Sequence, residues 1–142
     1  MLLFPKNIKW LKTYSRRKKL LSSRNPISLC LRGNFSLVSF ENGKINNKQI
    51  ESLRRVLRRT LKKQGKIWIN PFPQSVITKK PNESRLGKGK GNVKIWACLI
   101  RKGEVLVEVK GCHWVKAKEA LLKAKSKVSL NTFIDLDKNI FY

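Results

Sequence analysis

Residues 46–72 read NNKQIESLRRVLRRTLKKQGKIWINPF, and two hydrophobic periods succeed one another within them. From Lys48 to Gln64 the apolar residues Ile50, Leu53, Val56, Leu57 and Leu61 return every three or four positions, which predicts one amphipathic helix. Asn46 or Asn47 is the candidate N-cap, and Gly65 stands where a left-handed residue commonly closes a helix. From Lys66 the period falls to two: Ile67 and Ile69 alternate with Lys66, Trp68 and Asn70. A strand over Lys66 to Phe72 follows, its end set by Pro71 and Pro73. The arc of the helix opposite its apolar stripe carries Arg54, Arg55, Arg58, Arg59, Lys62 and Lys63. An ordinary solvated face mixes signs, because like charges four residues apart repel. A phosphate backbone lying along the helix explains this arc better than water does.

Before the helix, Asn34 to Phe40 (NFSLVSF) reads as a first strand, followed by a turn at Glu41-Asn42-Gly43. Residues 74–92 carry Pro81 and three glycines and read as a long loop. Val93 to Arg101 and Glu104 to Lys110 flank Lys102-Gly103, the signature of a β-hairpin. After Gly111 a second helix is predicted over His113 to Val128, with Trp114, Ala117, Ala120, Leu121, Ala124 and Val128 on its buried stripe. Asn131 to Ile134 would add a last strand. The class is α+β: a single domain with one mixed or antiparallel sheet and two helices on one face. A basic N-terminal arm (1–25) precedes the domain (26–134), and a short tail (135–142) follows it.

The chain has 142 residues, with 33 Lys or Arg against 8 Asp or Glu and a net charge of +25. Self-repulsion of that size disfavours a compact state unless a partner supplies counter-charge, and a polyanion is the leading candidate. No apolar run is long enough to insert in a membrane. Cys30, Cys98 and Cys112 are odd in number and widely spaced, so neither a disulfide framework nor a zinc site is indicated. His113 is the lone histidine and reads as a polar residue at a helix start. The acids show no pairing suited to acid–base chemistry, so no catalytic residue, cofactor or metal is expected.

The segment from Lys79 to Asn92 (KKPNESRLGKGKGN) is the most unusual. A Walker loop needs Ser or Thr after its Gly-Lys, and Gly89 and Gly91 stand there instead. A dinucleotide fingerprint needs a glycine where Asn92 sits, and a helix rather than a strand after it. What remains is simpler chemistry. Gly87, Gly89 and Gly91 let backbone approach a surface, Lys88 and Lys90 set ammonium groups on it, and Arg85 adds a planar fork for phosphate or base. The arm carries Lys6, Lys9, Lys12, Arg16 and Arg17 with no acid. Composition leaves it open between a mitochondrial transit peptide and an arm that orders against phosphates.

The run from Ile50 to Asn92 resembles the universal large-subunit ribosomal protein L-sixteen family in its bacterial and organellar form. The resemblance rests on Ile50, Glu51, Arg54, Arg55, Gly65 to Ile69, Phe72-Pro73, Thr78, Lys80-Pro81, Glu83, Arg85 and Gly87 to Asn92. Met1-Leu2 and Pro5-Lys6 resemble the family's basic start, which favours a native arm. Asn70-Pro71, Leu86, a lysine-rich second helix and the tail depart from the pattern. The resemblance implies a structural protein that binds large-subunit rRNA beside the peptidyl-transferase centre and supports the aminoacyl-site tRNA, among neighbouring ribosomal proteins. The rRNA-binding set would be the arm's Lys6, Lys9, Lys12, Arg16 and Arg17, the helix's Arg54, Arg55, Arg58, Arg59 and Lys62, and Lys66, Lys79 and Lys80. Arg85, Gly87, Lys88, Gly89, Lys90, Gly91 and Asn92 would face the tRNA site. A non-ribosomal basic RNA-binding protein is the alternative. Abundant Lys, Asn and Ile with only four alanines suggests an AT-rich genome. A family-like start without an added presequence then points to a mitochondrion, with plastid or bacterial cytoplasm as alternatives.

Overall fold

The computed structural model describes residues 3–12, 32–85, 87 and 89–136. The expectations for Arg16, Arg17, Cys30, Leu86, Lys88, most of the arm and all but two tail residues lie outside them. In chain order the elements are β1 (Phe35–Ser39), β2 (Gly43–Asn46), α1 (Asn47–Leu61), β3 (Lys66–Ile69), β4 (Ser75–Lys79), β5 (Asn92–Ile100), β6 (Val105–Lys110), α2 (Trp114–Lys125) and β7 (Thr132–Leu136). The α+β class with two helices stands.

The strands form two antiparallel sheets rather than one. The first runs β3-β6-β1-β7 and the second β2-β5-β4. The expected hairpin is therefore a correction: β5 and β6 reverse direction around Gly103 but pair with different neighbours. The turn's own backbone groups explain the divergence. The Gly103 N–H donates to the Ser39 carbonyl at 2.7 Å, and the Ser39 N–H to the Glu104 carbonyl at 3.0 Å. Asn42 Oδ1 accepts from the Lys102 N–H at 2.7 Å. The β1–β2 connection thus seizes the turn, sending β5 onto β2 and β6 onto β1.

Two short strands sit where loop or turn was expected. β2 follows the Glu41–Asn42 turn, and β4 pairs with β5 from Ser75↔Ala97 to Lys79↔Asn92. The glycine–lysine loop is therefore the tip of a β4–β5 hairpin.

α1 starts as expected, with the Gln49 side chain accepting from the Asn46 N–H at 2.9 Å. It ends at Leu61, three residues early, because Lys62 and Lys63 already take left-handed φ of 46° and 68°. α2 is shorter than expected at both ends, and His113 is its N-cap. The helices pack on each other; α1 also meets β2, β3 and β5, and α2 meets β1 and β7. Ile50, Leu53, Leu57 and Leu61 of α1 join Ala117, Ala120, Leu121 and Ala124 of α2 in the core, over Phe35, Leu37, Val107 and Val109 of the first sheet. Alanines at the contact let α2 lie close, and the Phe35 and Trp114 rings meet at 5.4 Å.

Candidate nucleic-acid interface

The α1 arc divides into two parts. Glu51 accepts from Arg54 Nε at 2.9 Å and Nη2 at 2.8 Å, and from Arg55 Nε at 3.1 Å. The Arg54 hydrogen bonds, opposed by partial burial and helped by Arg55, hold the Glu51 carboxyl down at about 2. The charges of the first arginine pair are partly compensated within the helix. One turn on, Arg58 and Arg59 are exposed and pair with no acid among the described residues. Together with Lys62 they form the uncompensated half of the arc.

Arg59 and Lys62 of that half border a groove of about 620 Å³ between the end of α1 and α2. Arg59 and the C-cap Lys62 line it from α1 and its end, Lys116 and Lys123 from α2, and Lys127 from just beyond α2. Its one acid among the described residues, Glu119, is lowered by the hydrogen bond from Lys123, whose Nζ lies 2.5 Å from Oε1. Lys116, Lys123 and Lys127 were not among the sequence-predicted site residues. Each reads alone as a solvated helix charge, and only the packing of α2 on α1 brings them beside the arginines. These lysines therefore enlarge the cationic surface.

The loop is a separate site. Arg85, Gly87 and Gly89 are exposed at its tip, where Gly87 and Gly89 take φ of 94° and 84°. Lys80 reaches across its own loop: its Nζ donates to the Gly87 carbonyl at 2.6 Å, bracing the loop. Lys79 ends β4 opposite Asn92, the first residue of β5. The arm reaches the same place, since Lys12 Nζ donates to the Lys90 carbonyl at 3.2 Å. Lys6 and Lys9 are exposed, while Leu3 packs against the core. Trp10 is 74% exposed two residues before Lys12, an aromatic surface that charge-based reasoning passed over.

Lys66 sits apart from both. It lies on β3 directly opposite Lys110 of β6 and lines a cleft with Arg32 and Trp68.

The remaining chemistry is structural. Burial pushes the Cys98 thiol up to about 11 and raises Cys112 as well, so neither is poised as a nucleophile. His113 Nδ1 accepts from the Val115 N–H at 3.4 Å, as a helix cap. Among the described residues no cluster of His, Cys, Asp and Glu could hold a metal ion, and no helix is long and apolar enough to cross a membrane.

The sequence matches the family described as "Ribosomal protein L16p/L10e" over residues 5–134. It is 44% identical over 132 residues to "Large ribosomal subunit protein uL16" of Aeromonas hydrophila subsp. hydrophila, covering 92% of this chain and 94% of that protein. It is 43% identical over 132 residues to the protein of the same name from Aeromonas salmonicida, with the same coverage. To that of Buchnera aphidicola subsp. Cinara cedri it is 40% identical over 131 residues, again covering 92% and 94%.

Proposed function

The chain belongs to the ribosomal protein L16p/L10e family, and from that premise we propose that its α1–α2 cationic surface binds large-subunit rRNA beside the peptidyl-transferase centre. It is a structural constituent of the large ribosomal subunit, acting in translation and without enzymatic activity of its own. Membership sets aside the reading as a free, non-ribosomal RNA binder. The observation carrying the proposal is the uncompensated run Arg58, Arg59 and Lys62, continued across the groove by Lys116, Lys123 and Lys127. Spread over two packed helices, these cations form a surface that can follow a polyanion, and RNA phosphates supply the charge the fold lacks.

The arm and loop complete the reading. Lys12 on the Lys90 carbonyl joins them into one projection. That projection, with Arg85 and the Gly87–Gly91 backbone, is proposed to lie at the aminoacyl-tRNA site. Lys6 and Lys9 extend the arm's charge toward rRNA. The relatives named above are bacterial, and the compositional lean toward a mitochondrion finds no support in them.

Salt dependence tests the helix surface. Each neutralised phosphate contributes roughly −0.7 to −0.9 to the slope of log affinity against log salt. Replacing Arg58 and Arg59 by Gln should flatten the slope by about 1.4 to 1.8 for binding to an rRNA fragment. The Arg54→Gln/Arg55→Gln pair should flatten it less, because Glu51 already offsets those charges. Equal slopes for wild type and the Arg58/Arg59 variant would show a merely solvated face.

The same charge excess predicts anion-dependent stability. At equal ionic strength the isolated chain should melt higher in sulfate than in chloride, since the divalent anion bridges neighbouring cations. The Arg58→Gln/Arg59→Gln chain should show a smaller difference between the two salts, and an unchanged difference would mean the effect arises elsewhere.

A further inference from the structure

We propose that the cleft along the β3–β6 edge holds one unpaired nucleotide of the ribosomal RNA, its base against Trp68 and its phosphate between Lys66 and Lys110. The proposal rests on the rRNA-binding reading above and names a nucleotide-specific contact within it. The cleft is about 620 Å³ and is lined by Arg32, Gly65, Lys66, Trp68, Lys110 and Gly111.

Strand register makes the site. β3 is an edge strand pairing Lys66↔Lys110, Ile67↔Val109, Trp68↔Glu108 and Ile69↔Val107. Alternation sends Val107 and Val109 into the helix-covered core, with Ile67 and Ile69 packed against it. Lys66, Trp68, Glu108 and Lys110 therefore share the opposite face. Like charges directly opposite across a strand pair are destabilising, so Lys66↔Lys110 is an unfavourable choice for a naked sheet. Among the described residues no acid lines the cleft. Glu108 is on this face, buried and accepting from the neutral Arg32 and Gly33 N–H groups at 2.7 and 2.8 Å and from Asn70 Nδ2 at 2.9 Å, so its one negative charge stands against the three cations Arg32, Lys66 and Lys110. The cleft keeps a net positive charge that an outside anion can neutralise. Glu108 also fixes the backbone of Arg32, which brings a third cation to the cleft.

Trp68 decides which anion. A phosphate alone needs no aromatic wall, whereas a half-buried indole about 7 Å along the strand from the lysine pair suits a planar base. Base–aromatic stacking is worth as much as a good hydrogen bond and accepts any base. Access from the first site is continuous, because Gly65 also borders a depression of about 370 Å³ lined by Arg58 and Lys63. The Lys66–Lys110 repulsion is permanent, so a resident rRNA nucleotide answers it better than a transiently bound tRNA.

The test uses large subunits assembled with full-length wild-type, Trp68→Phe or Trp68→Ala chain, probed with base-specific reagents. Wild type and Trp68→Phe should protect an unpaired rRNA base, and Trp68→Ala should raise that base's reactivity by at least about fivefold. The Lys66→Ala/Lys110→Ala chain should expose the same base, whereas Arg58→Gln should not. Incorporation of wild type without any base change in Trp68→Ala would overturn the nucleotide site alone. Failure of wild type to be retained would instead remove the rRNA-binding reading beneath it. Should Trp68→Ala not assemble, the full-length chain with Trp10, Trp96 and Trp114 changed to Phe serves as the probe. Hexaadenylate should quench its remaining fluorescence and inorganic phosphate should not. Absence of quenching by the RNA would overturn the proposal.

Discussion

Glu108→Ala is expected to lower the melting temperature of the isolated chain by roughly 10 °C, a loss of about 3 kcal/mol in a domain of this size. The carboxylate is only 1% exposed and serves three donors from two parts of the chain: the Arg32 and Gly33 N–H groups and the Asn70 amide. Removing it strands the buried Gly33 N–H, while the exposed Arg32 and Asn70 recover water; the cost therefore stays below that of three orphaned donors. Burial pushes the Glu108 pKa up, but the Asn70, Arg32 and Gly33 hydrogen bonds outweigh it, and the net direction is below the ordinary 4.5. The sign of the pH effect follows. A carboxyl with its folded value depressed contributes stability fully present above about 4.5, lost as pH falls through the lower folded value. Wild type should lose stability in that window, and Glu108→Gln should lose less. Thermal melts of the three proteins between neutral pH and pH 3 read this out. Matching melting temperatures for wild type and Glu108→Ala would show that water replaces the carboxylate.

Gly91→Val should be the most damaging single change in the glycine–lysine loop, costing about 2–3 kcal/mol in local stability. A Cβ at Gly91 would lie 2.7 Å from the backbone carbon and oxygen of Lys79 and 2.8 Å from the Lys80 nitrogen. Backbone cannot step aside there without breaking the Lys79↔Asn92 pair that closes the hairpin. Gly87 and Gly89 have open space around the same position. Their need is conformational, since a side chain at left-handed φ costs roughly 1–2 kcal/mol. If the loop positions the aminoacyl-tRNA, ribosomes carrying Gly91→Val should bind that tRNA at least about tenfold more weakly, since misplacing a positioning element by 1 Å can cost a hundredfold. Gly89→Val should fall between Gly91→Val and Lys90→Ala. Incorporation into subunits should change little in all three, because most of the chain's cations lie elsewhere. Equal tRNA binding by wild-type and Gly91→Val ribosomes would return the loop to a solvated surface element.

Local signals were legible where the structure they encode is local. The period and N-cap of α1 and the alanine stripe of α2 could be read because a helix satisfies its own backbone. The stop at Leu61 was not, since two lysines rather than a glycine take the left-handed turn. Lys102-Gly103 announced a reversal, but pairing depended on Ser39 and Asn42, some sixty residues earlier in sequence. β2 and β4 are four and five residues long and become strands only against β5, so their own sequence carried little period. The site divides in the same way. The arginine arc is a property of one helix, and it was readable. The groove lysines, the arm's contact with Lys90 and the Lys66–Trp68–Lys110 cleft each need two segments brought together by packing or register.

Hydroxyl-radical footprinting of rRNA in large subunits, comparing wild type with the chain carrying Gln at 58, 59 and 62, reads the contact of the α1 surface with RNA. The reagent attacks the sugar–phosphate backbone, which is where Arg58, Arg59 and Lys62 are proposed to sit. The triple variant should still enter the subunit but lose backbone protection over one short continuous stretch of RNA, with protection by the loop and arm retained. An identical footprint for the two proteins would contradict that contact.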